Sequence, residues 1–119
     1  MEKYVDAFVL VVPKKNLKAY KKMAQGGAKM WKKYGALEYF ECAGDDLSPK
    51  FTAVKFPKLA KAKPGETVIV SFIVYKSRAD RDRINALIYK DPAMGNPDQP
   101  MPFDEKRMTF GGFKVLVEG

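Results

Sequence analysis

An α+β fold is predicted for this 119-residue chain, and three observations carry it. Apolar residues alternate with a period of 2 in four short segments. They recur at steps of 3 and 4 in two longer ones. The two patterns follow one another as strand–helix–strand, then strand–helix–strand, which makes a four-stranded antiparallel sheet with both helices on one face, the ferredoxin-like βαββαβ arrangement. One domain over residues 1–119 is expected, since a chain of this length buries roughly two-thirds of its unfolded surface in a single core.

Tyr4 to Val12 is β-rich and stops at Pro13. Its odd positions (Val5, Ala7, Val9, Val11) form a small aliphatic face, and its even positions (Tyr4, Asp6, Phe8, Leu10) a larger one with a carboxylate. Being apolar on both sides, the strand is expected to be covered on both. Asn16 is placed to cap the following helix and Gly35 to end it. Between them Leu17, Tyr20, Ala24, Ala28 and Trp31 fall within an arc of about 80°, opposite eight lysines. Gly26-Gly27 weakens this helix by about 1 kcal/mol per glycine relative to alanine. A close contact at Gly27 accounts for one of them; Gly26 has no account.

Ala36 to Cys42 reads as the second strand. Leu47 to Glu66 is too long for an ordinary connection, so it is expected either to be functional or to carry short structure of its own. Thr67 to Tyr75 is the third strand, with Val68, Val70, Phe72 and Val74 on one face. Ser77-x-x-Asp80 opens a second helix with Ile84, Leu87 and Ile88 inward, and Asp91-Pro92 closes it. Ala93 to Glu105, with Pro97, Pro100 and Pro102, reads as loop. Arg107 to Val117 is the last strand, interrupted at Gly111-Gly112.

The sheet's second face then needs a cover. Tyr4, Phe8, Leu10, Ile69, Ile73, Tyr75, Phe113 and Val115 are expected on it, which exposes too much apolar surface for a monomer, and a homodimer with C2 symmetry is predicted.

Composition excludes much chemistry. There is no histidine, hence no Ser-His-Asp or Cys-His relay, no HExxH zinc helix and no His-ligated haem. P-loop and GxGxxG signatures are absent, and no cofactor is expected. The lone Cys42 allows no internal disulfide and has no base to activate it; such thiols are ordinarily inert. Asp45-Asp46 lacks a third ligand and reads as a turn, so no metal is expected. No segment reaches membrane-spanning length and no signal peptide is evident, so a cytoplasmic location is expected. The net charge of +8 is concentrated in Lys14–Lys33, with eight lysines and no acid, and Lys50–Lys63, with five more. Aromatic residues are not interleaved with these lysines and the first helix's apolar stripe is needed by the sheet, so a solvated face is favoured over nucleic acid or membrane binding.

Tyr4-Val-Asp-Ala-Phe-Val, Tyr34-Gly-Ala-Leu, Glu41-Cys-Ala-Gly-Asp-Asp46, Phe56-Pro57, Lys61-Ala-Lys-Pro-Gly-Glu-Thr-Val68, Asp91-Pro-Ala-Met94 and Met101-Pro-Phe-Asp-Glu-Lys-Arg-Met-Thr-Phe-Gly-Gly-Phe113 together resemble the bacterial family labelled domain of unknown function 1428 (YbaA-like). The resemblance covers almost the whole chain. It implies the dimeric α/β-barrel superfamily, in which two ferredoxin-like sheets face each other and whose members include cofactor-independent monooxygenases and isomerases. The family itself has no assigned activity. One departure is Ala43, where the resemblance implies an aromatic residue, usually Trp; if that position lines a pocket, the pocket here is roomier.

The candidate site follows from the mixed strand faces. Asp6, or Glu41 on the second strand, is a candidate general base in the cavity between two sheets, with Arg107 balancing charge on an enolate-like intermediate. Tyr4, Phe8, Ser71, Tyr75 and Phe113 are candidate substrate contacts. The plainer reading of Asp6 is an ion pair with Arg107 or Lys106. Two functions remain: a homodimeric small-molecule binder or cofactor-independent enzyme, and, as the alternative, a polyanion-binding module using the lysine-rich helix. The carboxylate placed within an apolar strand favours the first.

Overall fold

A computed structural model describes residues 2–95 and 100–119. Strands β1 (Tyr4–Pro13), β2 (Glu38–Ala43), β3 (Glu66–Tyr75) and β4 (Thr109–Lys114) form one sheet in the order β2-β3-β1-β4, with every neighbouring pair antiparallel. Helices α1 (Leu17–Lys33) and α3 (Arg78–Lys90) provide the two crossovers, and a one-turn helix, α2 (Phe56–Leu59), interrupts the long connection before β3. This is the ferredoxin-like α+β arrangement that the strand–helix–strand repeats predict.

The register fixes which side chains share a face. Tyr4, Asp6, Phe8 and Leu10 stand opposite Tyr75, Ile73, Ser71 and Ile69. These face the helices: Tyr4, Ile73 and Tyr75 pack with Ile84 and Ile88 of α3, and Leu10 and Ile69 with Tyr20 and Ala24 of α1. The expected placement is therefore inverted. The large mixed face lies beneath the helices, and the small aliphatic one (Val5, Ala7, Val9, with Val70, Phe72 and Val74 across the register) is the open face. Both faces of β1 are apolar, so a period of 2 reveals their existence but not which one the helices take. Phe113, opposite Val5, does lie on the open face; Val115 lies beyond β4, its backbone N–H donating to the Lys3 carbonyl.

The long 47–66 connection carries structure of its own. Beside α2 it delivers Ala60 and Leu47 against Val11 and Val68, closing one end of the open face with a small separate core. Ser77 caps α3 as predicted, its Oγ accepting from the Asp80 N–H at 3.1 Å. Ile84 and Ile88 are fully buried, but Leu87 is exposed and is not a core residue. Asn16 precedes α1 without capping it through its side chain; its amide instead donates to the Pro102 carbonyl at 3.2 Å. Gly35 ends α1 at φ +114°, a backbone region that L side chains avoid. The last strand is shorter than predicted, because residues 105–107 form a 3-10 turn that turns Arg107 away from the ladder. Pro97 lies outside the described residues. No helix among the described residues is long and apolar enough to cross a membrane.

Candidate functional site

Two polar networks interrupt the apolar layer between helices and sheet, each built on a candidate carboxylate. The first is centred on Asp6, which is 1% exposed. Arg81 Nε donates to its Oδ1 at 3.0 Å and the Tyr75 hydroxyl to its Oδ2 at 3.0 Å. Trp31 Nε1 donates in turn to the Tyr75 oxygen at 3.1 Å and to Asn85 Oδ1 at 3.2 Å. The Arg81 guanidinium lies over the Tyr4 ring, 5.0 Å from its centroid. Gly112, opposite Asp6 in the β1–β4 register, makes room, since a β-carbon there would overlap the Tyr4 hydroxyl and Arg81 Nη2. Burial, reinforced by the Asp6 charge, pushes the Tyr75 hydroxyl above its ordinary range, so it stays a donor.

Asp6 is thus an ion pair, but with Arg81 and not with Arg107 or Lys106. Its two oxygens are both bonded, and it lines none of the cavities described below. Arg107 is held 41 residues away in sequence, by Glu66 through two 2.7 Å bonds and by Asp104 at 2.9 Å. Its guanidinium is fully engaged in tying the 100–108 segment to the start of β3, and the structure does not bring it to either candidate base. Arg81 was legible: with Ile84 and Ile88 it occupies one stripe of α3, at steps of 3 and 4, and an arginine on an apolar stripe needs a buried anion.

The second network is centred on Glu41. The Tyr20 hydroxyl of α1 donates to its Oε1 at 2.7 Å and the Tyr39 hydroxyl of β2 to its Oε2 at 2.8 Å. Burial, with the Glu41 bonds adding to it, pushes both phenols well above the usual tyrosine range and keeps them protonated. Gly27 accounts for the approach of α1 to β2, since a β-carbon there would sit 2.9 Å from the Tyr39 oxygen, whereas Gly26 faces open space. Tyr20 is visible in the sequence only as a member of the core stripe. Its hydroxyl needs a partner when buried, and that requirement was the available signal.

Unlike Asp6, Glu41 borders open volume. A cavity of about 450 Å³ lies between α1 and β2, walled by Leu17, Ala24, Ala28, Ala43 and Ile69, with Lys21 and Gln25 toward solvent. Ala43, singled out in the sequence, lines this cavity and contributes only a methyl group to its wall. A second cavity of about 400 Å³ lies beneath the 100–108 segment and includes Phe8 and Ser71 in its lining. Glu41, Tyr20 and Tyr39 border both.

The remaining candidates are scattered. Tyr4 and Tyr75 serve the Asp6 network; Phe8 and Ser71 reach the second cavity; Phe113 is on the open face. Cys42 also lies on the open face, a free thiol exposed on the edge strand. Among the described residues no group of three His, Cys, Asp or Glu side chains is placed to hold a metal ion. On the lysine-rich helix Lys33 pairs with Asp91 at 3.4 Å and Lys32 Nζ donates to the Leu37 carbonyl at 2.7 Å.

In sequence, residues 3–105 match the family described as protein of unknown function DUF1428. The chain is 40% identical over 116 residues to the uncharacterized protein YbaA of Escherichia coli K12, covering 98% of each, and equally to that of Shigella flexneri. Among solved structures it is similar to a dimeric ferredoxin-like protein from an uncultured marine organism, at TM-score 0.60 and 16% identity over the full length of both chains. It is also similar to an antibiotic biosynthesis monooxygenase-like protein from Nitrosomonas europaea, at TM-score 0.54 and 14% identity over 96% of this chain and 90% of that one. The structural likenesses support the fold read from the register, and the sequence matches show that the chain belongs to the DUF1428 family.

Proposed function

We propose that this chain is a homodimeric small-molecule-binding protein whose ligand lies in the groove between α1 and β2, with Glu41 as its polar contact. The observation that carries the reading is a carboxylate, oriented by two protonated phenols, at the wall of an apolar cavity of about 450 Å³. That volume lies within the range of sites for small organic molecules, and such sites combine apolar walls with few convergent polar groups. The ligand class that fits is a largely apolar molecule with one acidic or hydrogen-bonding centre, with Lys21 near the mouth to meet an anionic substituent.

Where catalysis follows binding, Glu41 accepts a proton from carbon beside a carbonyl, and the electron pair moves onto the carbonyl oxygen. A phenol released from Glu41, Tyr20 or Tyr39, then donates to that oxygen. The enolate either takes the proton back at another carbon, an isomerisation, or bonds to dioxygen at that carbon as a hydroperoxide, a monooxygenation. The O–O bond of the hydroperoxide breaks as the carbon's second proton leaves, so that one oxygen stays as a new carbonyl, the other departs as water and the substrate itself supplies the electrons. The monooxygenase-like relative is compatible with the second outcome. The homodimer is supported by the apolar open face and by the dimeric relative of the same fold.

Titration with 8-anilinonaphthalene-1-sulfonate (ANS), an aromatic anion, tests the binding reading. One dye per chain is expected, with amide NMR shifts grouped at Ala24, Ala28 and Glu41. Ala43→Trp fills the groove and is expected to weaken binding about tenfold or more. Shifts confined to Val5, Phe72 and Phe113, with Ala43→Trp unchanged, would overturn it.

A further inference from the structure

We infer that the cavity beneath the 100–108 segment is a second chamber of the same site, taking a flat aromatic lobe of a ligand that reaches across Glu41; this rests on the binding reading above. Its volume is about 400 Å³, close to that of the first chamber. What divides the two is the Tyr20–Glu41–Tyr39 bridge, which borders both. Both phenol rings are packed, Tyr20 in the α1 core and Tyr39 beside Trp31, but what joins them across Glu41 is a pair of hydrogen bonds. A ligand hydroxyl that takes over one Glu41 oxygen therefore replaces a phenol without leaving the carboxylate unpaired.

The lining of the second chamber differs in kind from the first. Four of the chain's six methionines, Met23, Met94, Met101 and Met108, line it together with Trp31 and Phe103. Methionine side chains are flexible, polarizable and make favourable contacts with aromatic rings, so this wall adapts to flat ligands of varied outline. Three of them, Met23, Met94 and Met101, also line a neighbouring cleft of about 400 Å³ with Pro100 and Pro102. The methionine layer is thus thin, with a cleft on its other side.

The backbone around this layer is fastened. Arg107 binds Glu66 and Asp104 at one end of the segment, Asn16 holds the Pro102 carbonyl, and the Phe103 ring meets Tyr20 edge-on at 5.8 Å. The thioethers are therefore free to part while the segment stays in place. Ser71, 5% exposed, lies among the lining residues as a polar contact. The ligand class is an elongated molecule of two apolar lobes, at least one of them a flat aromatic, joined at a phenol or enol whose hydroxyl donates to Glu41.

The experiment compares ANS with bis-ANS, which carries two such lobes, on the full chain. Met23→Trp and, independently, Met108→Trp fill the second chamber, and circular dichroism identifies which of them fold. Bis-ANS is expected to bind about tenfold tighter than ANS, and either folded tryptophan variant to remove that advantage while leaving ANS within about twofold. Ala43→Trp is expected to weaken both dyes. If Ala43→Trp abolishes both and the methionine variants leave bis-ANS unchanged, the second chamber is not part of the site and the binding reading survives. If the wild-type chain binds neither dye in the groove, the binding reading itself falls. Loss of both dyes in the methionine variants, with Ala43→Trp unaffected, places the ligand beneath the segment alone and overturns the shared site.

Discussion

Asp6 and Arg81 meet at 3.0 Å between the centre of the sheet and α3, 75 residues apart in sequence. Their pairing joins the two halves of the fold. Asp6 is all but inaccessible, whereas Arg81 keeps part of its surface in solvent, so the two ends of the pair differ in what their loss costs. Removing the arginine leaves a buried carboxylate with only the Tyr75 hydroxyl. Breaking a buried pair from one side costs about 3–5 kcal/mol.

Arg81→Ala is therefore expected to lower the urea midpoint strongly, and Gly112→Ala to do the same by pushing Arg81 and Tyr4 apart. In both variants the fraction that remains folded should bind ANS with unchanged affinity, because Asp6 lines none of the cavities described above. A loss of affinity in the folded fraction would return Asp6 to the site.

This pair also shows where the sequence was legible and where it was not. The order of elements, the α1 face, the α3 face apart from Leu87, and the Ser77 cap follow from local periodicity and short-range hydrogen bonding, and they stand in the structure. The orientation of the sheet does not follow, because β1 offers apolar residues on both sides and only long-range packing chooses between them. That one inversion carries Asp6 and Glu41 from an expected space between two sheets to the layer beneath the helices. It also replaces Arg107 by Arg81 as the partner of Asp6. Glu41 kept its candidacy for a reason invisible in one dimension: the volume beside it is left by alanines at 24, 28 and 43.

Glu66 and Arg107 give a dependence on pH. The two Arg107 bonds, with the Lys63 N–H, pull the Glu66 carboxyl from the usual 4.5 down to about 2. A carboxylate with a lowered folded-state value contributes stability above the unfolded value and loses it as pH falls toward the folded one. The contribution is thus complete above about pH 5 and disappears between about 4.5 and 2. Urea midpoints measured through that window should fall more steeply for the wild type than for Glu66→Gln. Parallel curves would show that the pair contributes nothing.

The paired glycines of α1 separate helix propensity from contact. Gly26 faces open space and sits inside a helix, so Gly26→Ala should stabilise the chain by about 1 kcal/mol. Gly27→Ala has the same propensity gain, but its methyl group would meet the Tyr39 hydroxyl that holds Glu41. The expected outcome is a smaller gain or a loss in thermal stability, together with weakened ANS binding. Equal stabilisation by both substitutions would show that Tyr39 moves aside freely.

The open face predicts the assembly. Phe40 and Phe113 flank it on the two edge strands and are 45% and 58% exposed in the single chain. Phe40 stacks on Phe72 at 5.0 Å, beside the aliphatic centre formed by Ala7, Val9 and Val70. A charge at either edge position can stay in water in the isolated chain, so the fold loses little. In a dimer closed through this face the same charge is trapped against an apolar partner with nothing to pair it, and contact between two copies sets two such charges facing one another. Sedimentation of the Phe40→Asp, Phe113→Asp double variant should therefore show a folded monomer where the wild type sediments as a dimer at micromolar concentration. A wild type that sediments as a monomer, or a double variant that remains dimeric, would place the assembly elsewhere or remove it.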